Sequence, residues 1–89
     1  MRYTVLWTQF AEWELTEIWL SASDRNFVAR AAAEIDALLE TSPMECGESR
    51  EGNLRLMFVS RLAVEFEVYP DDRKVLVRSI WLVAPGKSR

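Results

Sequence analysis

Four arginines in the second half of the chain, Arg50, Arg55, Arg61 and Arg78, are the residues best suited to act on an anion. A guanidinium presents parallel N–H donors to a phosphate, and a pair of them stabilises the extra negative charge of an in-line displacement. Glu65 and Glu67 stand two residues apart in an alternating run, so their carboxylates point the same way. Beside an arginine, either has the chemistry of a general base toward a 2′-hydroxyl. The same carboxylates, with Glu48 and Glu51, equally offer each arginine an ion-pair partner across adjacent strands. Two carboxylates without a third ligand make a weak metal site, and no metal or cofactor is expected. The chain has no His, which removes imidazole catalysis and His-ligated zinc. Its single cysteine, Cys46, has Glu45 and Glu48 for charged neighbours and lacks the positive surroundings of a reactive thiolate, so it reads as a partly buried bystander.

The 89 residues carry 11 Lys and Arg against 14 Asp and Glu, and 49 % are hydrophobic. That length fits one domain over residues 1–89. A domain of this size buries only about 60 % of the surface its unfolded chain exposes, which favours a stabilising partner. The net charge of −3 argues against a general nucleic-acid binder. Residues 1–46 hold three basic and eight acidic side chains, a net of −5, whereas residues 47–89 hold eight basic and six acidic, a net of +2. Any anion-binding surface therefore belongs to the second half. The amino-terminal run has neither the apolar core of a signal peptide nor a membrane span, so a soluble, cytoplasmic chain without membrane contact is expected.

Tyr3, Val5 and Trp7 alternate with polar or smaller neighbours and predict a strand at about 2–8. From Phe10 the period changes. Ala11, Leu15, Ile18, Trp19 and Ala22 gather on one side of a helix over about 9–22, capped by Thr8. Ser23 or Asp24 caps a second helix that runs to about Leu39 or Glu40, with Phe27, Val28, Ala31, Ile35, Leu38 and Leu39 as its apolar stripe. Thr41-Ser42-Pro43 ends it, and a polar loop extends through Gly52. Three strand-like runs follow at about 53–59, 62–69 and 73–82, with turn chemistry at Tyr69-Pro70-Asp71-Asp72-Arg73. In the middle run Leu62, Val64, Phe66 and Val68 alternate against Ala63, Glu65, Glu67 and Tyr69, so one face is buried and the other wet. Pro85–Arg89 reads as a loose tail.

The resulting fold class is α+β, in the order β-α-α-β-β-β: an N-terminal strand and an antiparallel helix hairpin packed on one face of a small, mostly antiparallel sheet. The other sheet face is left for solvent or a ligand. Trp13 and Leu20 lie on the first helix away from its apolar stripe, and an outward Trp beside an outward Leu marks a protein contact, either with a partner helix or with a second copy of the chain.

The chain resembles the RelE/ParE superfamily, the toxin components of type II toxin–antitoxin pairs, from Tyr3 to about Trp81. The resemblance rests on Tyr3-Thr4-Val5-Leu6-Trp7, Glu14-Leu15 with Ile18-Trp19-Leu20, Ile35-Asp36 with Leu38-Leu39, Gly47-Glu48-Ser49-Arg50, Leu54-Arg55, Val64-Glu65-Phe66-Glu67-Val68 and Val75 to Trp81. It implies the same fold and a growth-inhibiting protein held inactive by an antitoxin. One branch of that family cleaves mRNA at the ribosome with basic residues and no metal, and the other poisons DNA gyrase; plasmid stabilisation is a role associated with such pairs. The ribonuclease branch carries an arginine in the strand that resembles Leu62–Val68, at the position held here by Ala63. With Glu65 and Glu67 beside it, this departure weakens a nuclease reading and favours action through protein contact, or a catalytically degenerate, non-toxic interaction module of the same fold.

Overall fold

In a computed structural model, residues 2–83 are described. The tail reading for Pro85–Arg89 lies outside them. Strand β1 (Thr4–Trp7) leads into helix α1 (Gln9–Ser21), whose Thr8 cap accepts from the Ala11 amide at 3.0 Å. Helix α2 (Arg25–Thr41) follows after a three-residue link and is capped by Asp24, which accepts from the Phe27 amide at 3.2 Å. Ser42 then ends α2, and Pro43–Glu45 forms a single 3-10 turn. Four strands complete the chain: β2 (Glu48–Ser49), β3 (Leu54–Val59), β4 (Leu62–Tyr69) and β5 (Lys74–Leu82).

The strands form one sheet in the order β1-β5-β4-β3-β2, with β1 parallel to β5 and the remaining pairs antiparallel. The short strand β2 extends the sheet beyond the three late strands read from the sequence. It escaped the periodicity argument because two residues carry no period. Met57, Val59, Val64, Phe66, Val68, Val75, Val77 and Ile80 project from one sheet face into a core shared with Ala11, Ala31, Ile35 and Leu39. Each fully buried large side chain here, Phe66 and Ile35 among them, contributes about 1.5–3 kcal/mol through removal from water. Trp7 Nε1 donates to Asp36 at 2.9 Å and the Tyr3 amide to the Glu40 carbonyl at 2.8 Å, which fastens β1 to α2.

Two expectations need correction. Trp19 does not join the inward stripe of α1: it is 41 % exposed, with the Arg25 guanidinium 4.5 Å above its ring. That cation–π contact, with Arg25 Nε donating to the Trp19 carbonyl at 3.1 Å, closes the α1–α2 link from outside. Ala63, expected on the wet side of β4, is completely shielded from solvent. Its neighbours in register are Phe58 and Trp81, and side chains of that size on the adjacent strands enclose a methyl group.

Candidate functional site

The sheet face opposite the helices is built in rows fixed by the strand register. Leu54, Glu67, Leu76 and Leu6 form one row across β3, β4, β5 and β1. Glu48, Leu56, Glu65 and Ser79 form the next. Phe58, Ala63 and Trp81 form the third. A fourth row, Tyr69, Lys74 and Thr4, closes the face at one end, so the face is largely apolar at its sides and acidic along the centre of β4.

A bulge sets the position of Arg78 on this face. Glu65 pairs with Ser79 but Phe66 pairs with Val77, leaving Arg78 without a residue opposite. The extra residue lets Val77 and Ile80 both face the core and turns Arg78 out to solvent. Arg78 Nη1 lies 3.1 Å from Glu67 Oε2, and the Tyr69 hydroxyl donates to Glu67 Oε1 at 2.7 Å. The hydrogen bond to Glu67, followed by desolvation, pushes the Tyr69 hydroxyl above its ordinary pKa, so it remains a donor. Arg78 and Tyr69 together occupy Glu67. Among the described residues Glu65 has neither an ion-pair partner nor a side-chain hydrogen bond.

The other three candidate arginines lie away from the bulge. Arg55 pairs in register with Phe66 and so belongs to the helix-side face of β3. Its Nε donates to the Cys46 carbonyl at 3.0 Å and its Nη2 to the Gly47 carbonyl at 3.3 Å, which makes it a tie between β3 and the loop before β2. Arg50 follows β2, where its amide donates to the Leu54 carbonyl at 2.8 Å, which continues the β2–β3 register and sets Arg50 opposite Leu54 at the outer edge of the open face. Arg61 sits in the β3–β4 turn and lines a cleft of about 620 Å³ with Glu17, Asp24, Phe27 and Leu82. Arg50 and Arg61 therefore flank opposite ends of β3, about 17 Å apart along the strand. Among the described residues, no two of the four share a side-chain partner.

Cys46 is half-buried, with its Sγ 3.2 Å from the Ser42 carbonyl. Burial pushes its thiol pKa up, Arg55 partly opposes this and Glu45 adds to it, so the thiol stays protonated. On α1, Trp13 and Leu20 are 57 % and 54 % exposed, and Phe10 stacks on Trp13 with ring centroids 6.0 Å apart. The sequence reading missed Phe10 as part of this surface, although its spacing of three residues from Trp13 was the available signal. It also missed Glu14, whose Oε1 accepts from the Ser79 hydroxyl and the Ile80 amide, both at 2.9 Å.

No protein-family model and no curated protein matches the sequence. Solved structures do match the fold. The toxin–antitoxin complex RelBE2 from Mycobacterium tuberculosis aligns with a TM-score of 0.76 at 15 % identity, over 92 % of this chain and 99 % of that one. The chromosomal ParDE system from P. aeruginosa aligns with a TM-score of 0.68 at 15 % identity, over 92 % and 97 %. The isolated RelE toxin of E. coli aligns with a TM-score of 0.64 at 15 % identity, over 96 % and 88 %. The same architecture emerges from the residues and from these alignments: this chain has the fold of the RelE/ParE toxins.

Proposed function

We propose that this chain is the toxin-like member of a toxin–antitoxin pair, bound by an antitoxin protein, and that it acts by protein contact rather than by cutting RNA on its open sheet face. The observation that carries this reading is the near-complete alignment with RelBE2, which spans 92 % of this chain and 99 % of that one. The ribosome and DNA gyrase are the two targets that the family resemblance implies. The open face favours a protein target. A phosphate backbone laid across β4 meets Glu65 and Glu67, and the guanidinium beside them, Arg78, is held by Glu67. Ala63 supplies no charge where the ribonuclease branch has an arginine. Arg50, Arg55, Arg61 and Arg78 then serve solubility and loop anchoring rather than phosphoryl transfer. No helix among the described residues is long and apolar enough to cross a membrane.

The outer face of α1, formed by Phe10, Trp13 and Leu20, is the surface assigned to the antitoxin or to a second copy. Large aromatic side chains left in water on a small domain are typical anchors of such contacts. A second reading, the non-toxic module that keeps only the fold and its contact surfaces, is favoured by the same dispersal of the arginines. Induced expression separates the two. Growth arrest with DNA damage, relieved by co-expression of a neighbouring short reading frame, is the expected result. Codon-positioned mRNA cleavage overturns the protein-contact reading, and absence of arrest selects the non-toxic module.

A further inference from the structure

We propose that the open face of the sheet is a docking surface for a partner polypeptide segment that carries a Lys or Arg between apolar side chains. The face leaves large apolar groups in water: Phe58 is 61 % exposed and Trp81 41 %. Leu54, Leu56 and Leu76 continue the apolar border on the neighbouring rows. In the middle stands Glu65, without a cationic partner among the described residues, while Glu67 is satisfied by Arg78 and Tyr69. A half-buried carboxylate among aromatic and aliphatic side chains is complementary to one kind of group, a cation on an apolar stem.

The register supplies the geometry. Phe58 and Trp81 flank β4 on either side, about 10 Å apart across two strand spacings, and Glu65 lies about 7 Å further along β4 than Ala63. An extended segment crossing this face can lay the methylene stem of an Arg or Lys on the two rings and its charged head on Glu65, which combines cation–π attraction with an ion pair. The partner's apolar residues then cover the leucines of the flanking row. Nucleic acid does not fit around Glu65, since its phosphates meet Glu48, Glu65 and Glu67, while Arg78 is held by Glu67 and Lys74 lies two rows away at the Tyr69 end of the face. An isologous pair of copies sets the acidic face against itself. This surface is separate from the α1 face, and the inference stands whether or not expression arrests growth.

The test uses the full chain followed by amide NMR during titration with three probes: a synthetic peptide of alternating leucine and arginine, its leucine–glutamate counterpart, and a single-stranded RNA oligonucleotide. The leucine–arginine peptide should shift the amides of Leu56, Phe58, Glu65 and Trp81, and the other two probes should leave them in place. Glu65→Gln, which keeps shape and removes charge, should weaken that peptide about fivefold. Glu65→Lys should transfer binding to the leucine–glutamate peptide, with unchanged spectra at the core residues showing that the fold is retained. Absence of shifts with the leucine–arginine peptide, equal binding of both peptides, RNA shifting these amides, or Glu65→Lys leaving the preference unchanged would each overturn the proposal.

Discussion

Gly47 and Gly52 both take positive φ, 62° and 59°, but for different physical reasons. At Gly47 a Cβ would lie 2.0 Å from the Leu56 carbonyl oxygen and 2.7 Å from Met57 Cβ. The loop comes this close because β2 must pair with β3 immediately afterwards and because Arg55 holds the Cys46 and Gly47 carbonyls from the other side. At Gly52 a Cβ meets nothing within 4 Å, so only the left-handed backbone opposes a side chain. Gly47→Ala should therefore cost roughly 3 kcal/mol or more, whereas Gly52→Ala costs about 1 kcal/mol. Urea unfolding of the two variants measures both, and equal losses would contradict the close approach at Gly47. Nothing in the spacing of the two glycines distinguishes them. The distinction exists only once the loop is folded against β3.

At the level of elements, the weak point of the sheet is the outer edge of β5. Strand β1 ends at Trp7, paired with Val77; the Thr8 amide donates to the Val77 carbonyl at 3.0 Å and the Thr8 hydroxyl to the Arg78 carbonyl at 3.4 Å, which closes that seam. Beyond it β5 continues to Leu82, and among the described residues no strand pairs with it on that side. Glu14 substitutes for one, accepting the Ile80 amide and the Ser79 hydroxyl. Glu14→Ala leaves a partly buried amide without an acceptor and should cost about 1–3 kcal/mol, with Ile80 losing hydrogen-exchange protection ahead of Val75; Glu14→Gln, which keeps a carbonyl acceptor, should recover part of the loss. Ile80 protection that survives Glu14→Ala would refute this role. The helices and long strands were legible in the sequence because Val28, Ala31, Ile35 and Leu39, or Val64, Phe66 and Val68, repeat with a clear period. The bulge was also written there, in the step of two from Val75 to Val77 followed by three to Ile80. Glu14 could not be read, since in sequence it is one of several glutamates on a helix. The arginines were legible as chemistry but not as a site, because Arg61 sits in a turn, Arg55 faces the helices, Arg78 is displaced by the bulge and Arg50 lies at the edge strand. Their grouping depends on register, which side-chain type does not reveal.

For the molecule as a whole, the question is why a chain of 89 residues leaves so much large apolar surface in water. Helix α1 is apolar on two sides. Ala11 is buried, and Leu15 and Ile18 pack against the core, while Phe10, Trp13 and Leu20 point outward. The inward set is enough to seat the helix on β5, and the outward set is the contact surface proposed above. This makes the α1 face separable from stability. Replacing Trp13 and Leu20 together with Glu should leave the urea midpoint of the isolated chain nearly unchanged, because exposed positions tolerate such changes within about 0.5 kcal/mol each. The same double substitution should abolish the complex with the product of the neighbouring reading frame in a sizing column, since a charge placed in a desolvated aromatic pocket has no partner there. Loss of both stability and complex would mean that Trp13 and Leu20 are part of the fold after all. Retention of both would move the antitoxin contact to another surface and leave the α1 face for self-association, which sizing of the isolated chain reads directly.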